Sequence, residues 1–125
     1  MRAMIMTVGL LVASPAMAAD QFDLVCKGRE KASAIARWRP VEVRYRLDLS
    51  RKVYCRFDCT GLESIHSVDD ARIDFAPPAD AARGTTAVHY IERSDGRWTD
   101  FISGLGTREG VCEPAPFSGF PTPKF

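Results

Sequence analysis

Apolar and charged residues alternate without a fault from Val41 to Leu49, with Val41, Val43, Tyr45, Leu47 and Leu49 separated by Glu42, Arg44, Arg46 and Asp48. A period of two puts the two sets on opposite faces of an extended chain. The segment therefore predicts a half-buried antiparallel strand, one face in the core and its charges in water. Ser50 and Arg51 make a turn, and Lys52 to Phe57 predicts the returning strand, with Val53, Cys55 and Phe57 on one face.

Shorter signals surround this hairpin. Phe22 to Lys27 reads as a first strand ended by Gly28, and Ala71 to Phe75 as another that stops at Pro77-Pro78. Thr86 to Arg93 and Arg97 to Ser103 flank Ser94-Asp95-Gly96, a hairpin turn whose glycine can take the left-handed conformation. Arg108 to Glu113 completes the set before Pro114. About seven short strands at this spacing predict an all-β domain, a small antiparallel barrel or sandwich. One or two short helical turns are expected beside it. Glu30 to Trp38 holds helix formers and is stopped by Pro40, and Thr60-Gly61-Leu62-Glu63 fits a capping box that opens a turn through His66. Pro114 to Phe125 reads as an extended strap packed on the domain, because Phe117, Phe120 and Phe125 would be costly to leave in water.

The first residues change the meaning of the rest. Arg2, the apolar run Ile5 to Val12, Pro15 and Ala16-Met17-Ala18 have the order of a signal peptide cleaved after Ala18. The expected organisation is a leader over 1–18, a β domain over 19–113 and a strap over 114–125. The apolar stretch is too short to span a bilayer, and no transmembrane segment is expected after cleavage. Export to the periplasm or beyond puts Cys26, Cys55, Cys59 and Cys112 in an oxidising compartment, where disulfides are the default. Three pairings are possible. Cys26–Cys112 with Cys55–Cys59 is preferred, because one bridge then closes the domain end to end and the other is local; loop-closure entropy assigns them about 4–5 and about 2 kcal/mol. Two rivals are weaker. Cys55-x-x-x-Cys59 has one residue too many for a thioredoxin-type motif, and a zinc site from Cys55, Cys59, His66 and His89 lacks finger-like spacing.

Of the 125 residues, 17 are basic and 16 acidic, and 46% are hydrophobic, which describes an ordinary globular domain of near-zero net charge. That balance argues against nucleic acid as a partner. Neutrality conceals polarity, however. Residues 27–56 carry ten basic groups against three acids, and residues 57–125 carry six against eleven. Alternation puts Arg44 and Arg46 on one outward face, with Arg56 brought near them by a suitable register. With Arg37, Trp38 and Arg39 they form a candidate surface for an anionic partner, an envelope component or an acidic protein. The competing reading is a solvated face balanced by Asp69, Asp70, Asp74 and Asp80.

Catalytic signals are absent from the pattern. His66 and His89 are the only histidines; His89 sits in an alternating strand, which suits a core-rim imidazole better than a general base. Ser64 and Ser67 beside His66 lack a nucleophile elbow, Asp69-Asp70 would point to opposite faces of a strand, and Gly104-Leu105-Gly106 lacks the lysine and helix of a phosphate loop. Trp98 and Tyr90 fit packing. No cofactor or metal is expected. A non-enzymatic binding or envelope-associated module is the leading expectation, with a small enzyme or metal-binding protein behind it.

Phe22-Asp23-Leu24-Val25-Cys26-Lys27-Gly28, Tyr45-Arg46-Leu47-Asp48-Leu49, Cys55-x-x-x-Cys59, Ile91-Glu92-Arg93-Ser94-Asp95-Gly96, Gly110-Val111-Cys112-Glu113 and Pro116-Phe117-Ser118-Gly119-Phe120-Pro121 together resemble an uncharacterised family of small exported alphaproteobacterial, sphingomonad-type proteins. The resemblance implies compartment and architecture without an activity. Ser94-Asp95-Gly96-Arg97-Trp98 also loosely resembles the Ser-Gly-x-Arg-Tyr loop of periplasmic lysozyme inhibitors, which makes an inhibitor-like protein the alternative expectation. No inhibitory residue carries over.

Overall fold

The computed structural model describes residues 20–77, 87–102 and 106–122. The expected leader, Pro78, Asp80, Thr86, the Gly104-Leu105 pair and Phe125 lie outside them. The chain forms β1 (Gln21–Lys31), β2 (Arg39–Asp48), β3 (Val53–Arg56), β4 (Glu63–Ser64), β5 (Ser67–Val68), β6 (Arg72–Asp74), β7 (Ala87–Glu92), β8 (Arg97–Ile102) and β9 (Gly106–Ala115). They make one antiparallel sheet in the order β4-β3-β2-β1-β9-β8-β7-β6-β5.

That order forces the sheet to curl. β4 and β5 stand at its opposite edges, yet only Ile65 and His66 separate them, and three residue steps reach about 10–11 Å at most. Strand directions alternate across the sheet, so β4 and β5 run the same way. They are two halves of one bent segment, Glu63–Val68, whose first half pairs with β3 and whose second pairs with β6. Counted as one, they leave eight strands in a curled, half-barrel wall. Contacts across the interior agree: Tyr45 on β2 stacks on Phe75 beyond β6, with ring centroids 5.2 Å apart, and Tyr54 on β3 meets the same ring at 4.6 Å.

β1 and β9 join the two ends of the chain. Their register sets Cys26 opposite Cys112 and Gly28 opposite Gly110, and a disulfide links the cysteines. The second bridge joins Cys55 to Cys59, so the pairing preferred from loop length is the one in the structure. Gly28 does not end its strand. A Cβ there would stand 2.6 Å from the Gly110 Cα, and one on Gly110 would stand 2.7 Å from the Gly28 Cα, so only glycines permit the backbones to approach as they do. Fully buried Trp98 on β8 stands opposite Gly110 and supplies bulk to that row of the wall.

The all-β expectation holds; the details differ. There are nine strands, not about seven, and no helix among the described residues. Consequently no helix there is long and apolar enough to cross a membrane. Glu30 and Lys31 prolong β1, and 32–38 is a loop, because the pairing with Arg108 and Thr107 of β9 outweighs the helix propensity of a short uncapped run. The proposed capping box fails similarly: Glu63 pairs with Tyr54 as part of β4. β9 runs through Ala115, so the strap begins at Pro116, beyond the expected boundary at Pro114.

The strap lies on the outer face of β1 and β2. Asp23, fully buried on that face, accepts hydrogen bonds from the Ser118 N–H at 3.2 Å, the Ser118 hydroxyl at 2.7 Å and Arg44 Nε at 2.7 Å. Arg46 Nη1 donates to the Gly119 carbonyl at 3.0 Å, and Phe117 and Phe120 pack edge to face. Burial alone would raise the pKa of Asp23; the bonds from Ser118 and Arg44 outweigh it and hold the carboxyl below its ordinary value.

The glycine pair gives a direct check of the seam. Gly28→Ala or Gly110→Ala is expected to lower urea-unfolding stability by about 2 kcal/mol or more, while Gly61→Ala, whose Cβ meets nothing within 4 Å, stays within about 0.5 kcal/mol of the parent.

Candidate functional site

Five strands share one pattern on their inward faces, apolar toward one end of the barrel and polar toward the other. On β1 the series Leu24, Cys26, Gly28 ends in Glu30; on β9, Cys112 and Gly110 lead to Arg108. On β8 Trp98 is followed by Asp100, on β7 Ile91 is preceded by His89, and on β3 Tyr54 is followed by Arg56. Register aligns these switches, since Glu30 opposes Arg108, Arg108 opposes Asp100, and Asp100 opposes His89. The result is a cup with an apolar base and a polar mouth. The cavity at the mouth is about 430 Å³, lined by Glu30, Arg56, His89, Asp100 and Arg108 with alanines, Ile102 and Thr107 between them. That is the size and mixture of a small-ligand site.

A buried chain of hydrogen bonds forms the floor. Trp98 Nε1 donates to the Tyr45 hydroxyl at 3.1 Å, and that oxygen lies 2.9 Å from His89 Nε2. An indole N–H can only donate, so the Tyr45 hydroxyl accepts from Trp98 and uses either its proton or its second lone pair toward Nε2. Burial is the largest cause holding the pKa of His89 down to about 4, with the Arg56 and Arg108 guanidiniums adding to it against the opposing pull of Asp100. Burial and the nearby Asp100 push the Tyr45 phenol above its ordinary range. Both rings are neutral at physiological pH, and the Phe75 ring, 4.5 Å from the imidazole, closes the floor from below.

The walls are ionic. Arg108 Nε meets Glu30 Oε2 at 2.8 Å, while its Nη1 lies 3.8 Å from Asp100 Oδ2, an ion pair beyond hydrogen-bond length. Across the cavity Arg56 Nη2 is 3.4 Å from Glu63 Oε2. Asp100 is the most enclosed of these charges, its side chain 11% exposed. The arrangement offers guanidinium and carboxylate edges around a small volume, above a neutral imidazole.

The six residues of the expected anionic-partner surface do not form one surface. Arg44 is paired with Asp23 and Arg46 is bonded to the strap on the outer wall. Arg56 points inward, because the turn at Ser50 and Arg51 pairs it with Tyr45; Val53 and Cys55 consequently oppose Asp48 and Arg46 on the outer face. Val53 and Cys55 do share one face, as the alternation expects. Arg37, Trp38 and Arg39 remain together at the β1–β2 loop, 37% of Trp38 being exposed. The acids that meet the basic segment are Asp23, Glu63 and Glu109, the last 2.7 Å from Arg29, and Asp69 instead caps its own turn through the Ala71 and Arg72 amides. His66 is exposed, Cys55 and Cys59 are bonded to each other, and the Ser94–Arg97 turn lies at the end of the barrel opposite the mouth. Among the described residues no group of three or more His, Cys, Asp or Glu is placed to hold a metal ion.

Sequence reasoning missed Glu30, Asp100 and Arg108. Their signal was present: each occupies an inward position of an alternating strand, where a charge needs a partner. The chain matches no family model, no curated protein and no solved structure.

His89 gives the site a measurable pH signature. Its folded value of about 4 lies below the ordinary 6.5, so the unfolded chain takes up a proton first as pH falls. Stability from this group is complete above about pH 6.5 and is lost on the way to about 4, roughly 2 kcal/mol having gone by pH 5. In His89→Gln, which keeps an acceptor for Tyr45, that loss between pH 7 and pH 5 should disappear from urea-unfolding curves. Asp23 and Asp48, held below their ordinary 3.8, lose stability only at lower pH.

Proposed function

We propose that this protein is a non-enzymatic binding module of an oxidising, extracytoplasmic compartment, and that it holds a small polar molecule in the mouth of the cup. The single observation behind the reading is the coordinated switch from apolar to charged side chains on five strands at one end of the barrel. Burying charges at such positions costs free energy unless each is paired. Asp100 is enclosed and among the described residues is paired only through the long contact to Arg108, which suits a carboxylate kept ready for a ligand donor.

Binding is favoured over turnover by the state of the imidazole. His89 has Nε2 engaged with the Tyr45 hydroxyl and is held neutral by burial, so at physiological pH it supplies neither a free Nε2 base nor an imidazolium acid. The bridges support the compartment: both cysteine pairs are joined, a state that reducing cytosol does not maintain.

The test is a thermal-unfolding screen against small polar solutes such as monosaccharides, amino acids, polyamines and dicarboxylates. A ligand at a hundred times its Kd stabilises by about 2.7 kcal/mol, a shift of several degrees for a domain of this size. The shift should vanish in Asp100→Asn and Arg108→Met while both variants still fold. A ligand whose effect survives both substitutions would place binding elsewhere and contradict the proposal.

A further inference from the structure

Among the described residues seven large apolar side chains are left exposed, and six of them (Ile35, Trp38, Phe57, Leu62, Phe101 and Ile102) belong to the end of the barrel that carries the mouth. Only Val111 does not. The most prominent is Ile35, 97% exposed in the β1–β2 loop between Ala34 and Ala36. Phe57 is held outward with φ at 51°, a conformation that a bulky residue adopts only when its surroundings impose it.

Charge is arranged behind the loop. The Arg29 guanidinium lies 4.1 Å and the Lys31 ammonium 4.8 Å from the centre of the Trp38 ring, and Arg37 and Arg39 flank the same indole in sequence. Arg29 is neutralised by Glu109. Lys31, Arg37 and Arg39 form no ion pair among the described residues. An aliphatic tip, an indole behind it and cations around the indole follow the depth profile of a lipid surface: acyl boundary, interface, phosphate layer.

We infer that the mouth end docks on an anionic phospholipid surface, with Ile35 entering the acyl boundary, Trp38 at the headgroup level, and Lys31, Arg37 and Arg39 against phosphates. Docking in this pose turns the cavity toward the membrane. It does not depend on what the cavity holds.

The protein's own fluorescence reads the contact. Trp98 is fully buried, so a change on adding vesicles reports Trp38. Vesicles of phosphatidylcholine alone are compared with equimolar phosphatidylcholine and phosphatidylglycerol, with flotation as a second readout. The expected result is a blue shift and co-flotation on the anionic vesicles only, weakened by salt. Arg37→Glu with Arg39→Glu should weaken binding at least 25-fold, at roughly fivefold per cation lost. Ile35→Ser, at a fully solvated position, should weaken it several-fold with the thermal midpoint unchanged. Three results would overturn the inference: no binding to anionic vesicles, equal binding to both compositions, or undiminished binding by Ile35→Ser, which would leave general charge attraction. Binding to soluble polyglutamate as tight as to the vesicles would instead indicate an acidic protein as the partner and overturn it too.

Discussion

The pairing of β1 with β9 is the one ladder that joins strands distant in sequence; every other ladder links a strand to its neighbour along the chain. Without it the chain would be two meanders, β1 to β4 and β5 to β9, each with an exposed face and no opposing wall. With it the strands form a single sheet, and the short joint between β4 and β5 leaves that sheet no option but to curl. Three features meet at the seam: the Cys26–Cys112 bridge, the facing glycines and Trp98 beside them. The bridge links residues 86 apart and limits the unfolded chain, while the glycines set how closely the two backbones lie.

The same seam builds the mouth. Glu30 and Arg108 continue the register set by Cys26–Cys112 and Gly28–Gly110, so the ion pair at the rim is two further steps of one ladder. Asp100 and His89 are added by the next two strands in line. A site made this way sits on strands rather than on loops, which keeps its side chains in fixed relation to each other. The neutral histidine at the floor follows from the same enclosure, since the wall that buries Tyr45 and Trp98 also removes water from the imidazole.

Local pattern disclosed the architecture and only part of the site. The alternation from Val41 to Leu49 was sufficient for β2, because period two has one meaning when both faces differ so sharply in polarity. Gly28 reads locally as a strand end, because the reason for a glycine there is another glycine 82 positions away. Glu30 to Trp38 suggested a helix because nothing within the segment reveals that Arg108 awaits its carboxylate. Arg56 would join Arg44 and Arg46 only in a register that the two-residue turn at Ser50 and Arg51 excludes, since that turn sets it opposite Tyr45. Tertiary partners that lie far along the chain were the information missing in each case but the last.

The claim on which the account rests is that the seam, more than any local element, holds the domain together. Urea unfolding of Cys26→Ala/Cys112→Ala beside Cys55→Ala/Cys59→Ala tests it. The first variant should lose about 4–5 kcal/mol and the second about 2, in line with the loops that each bridge closes. Equal losses, or a seam variant as stable as the parent, would contradict it.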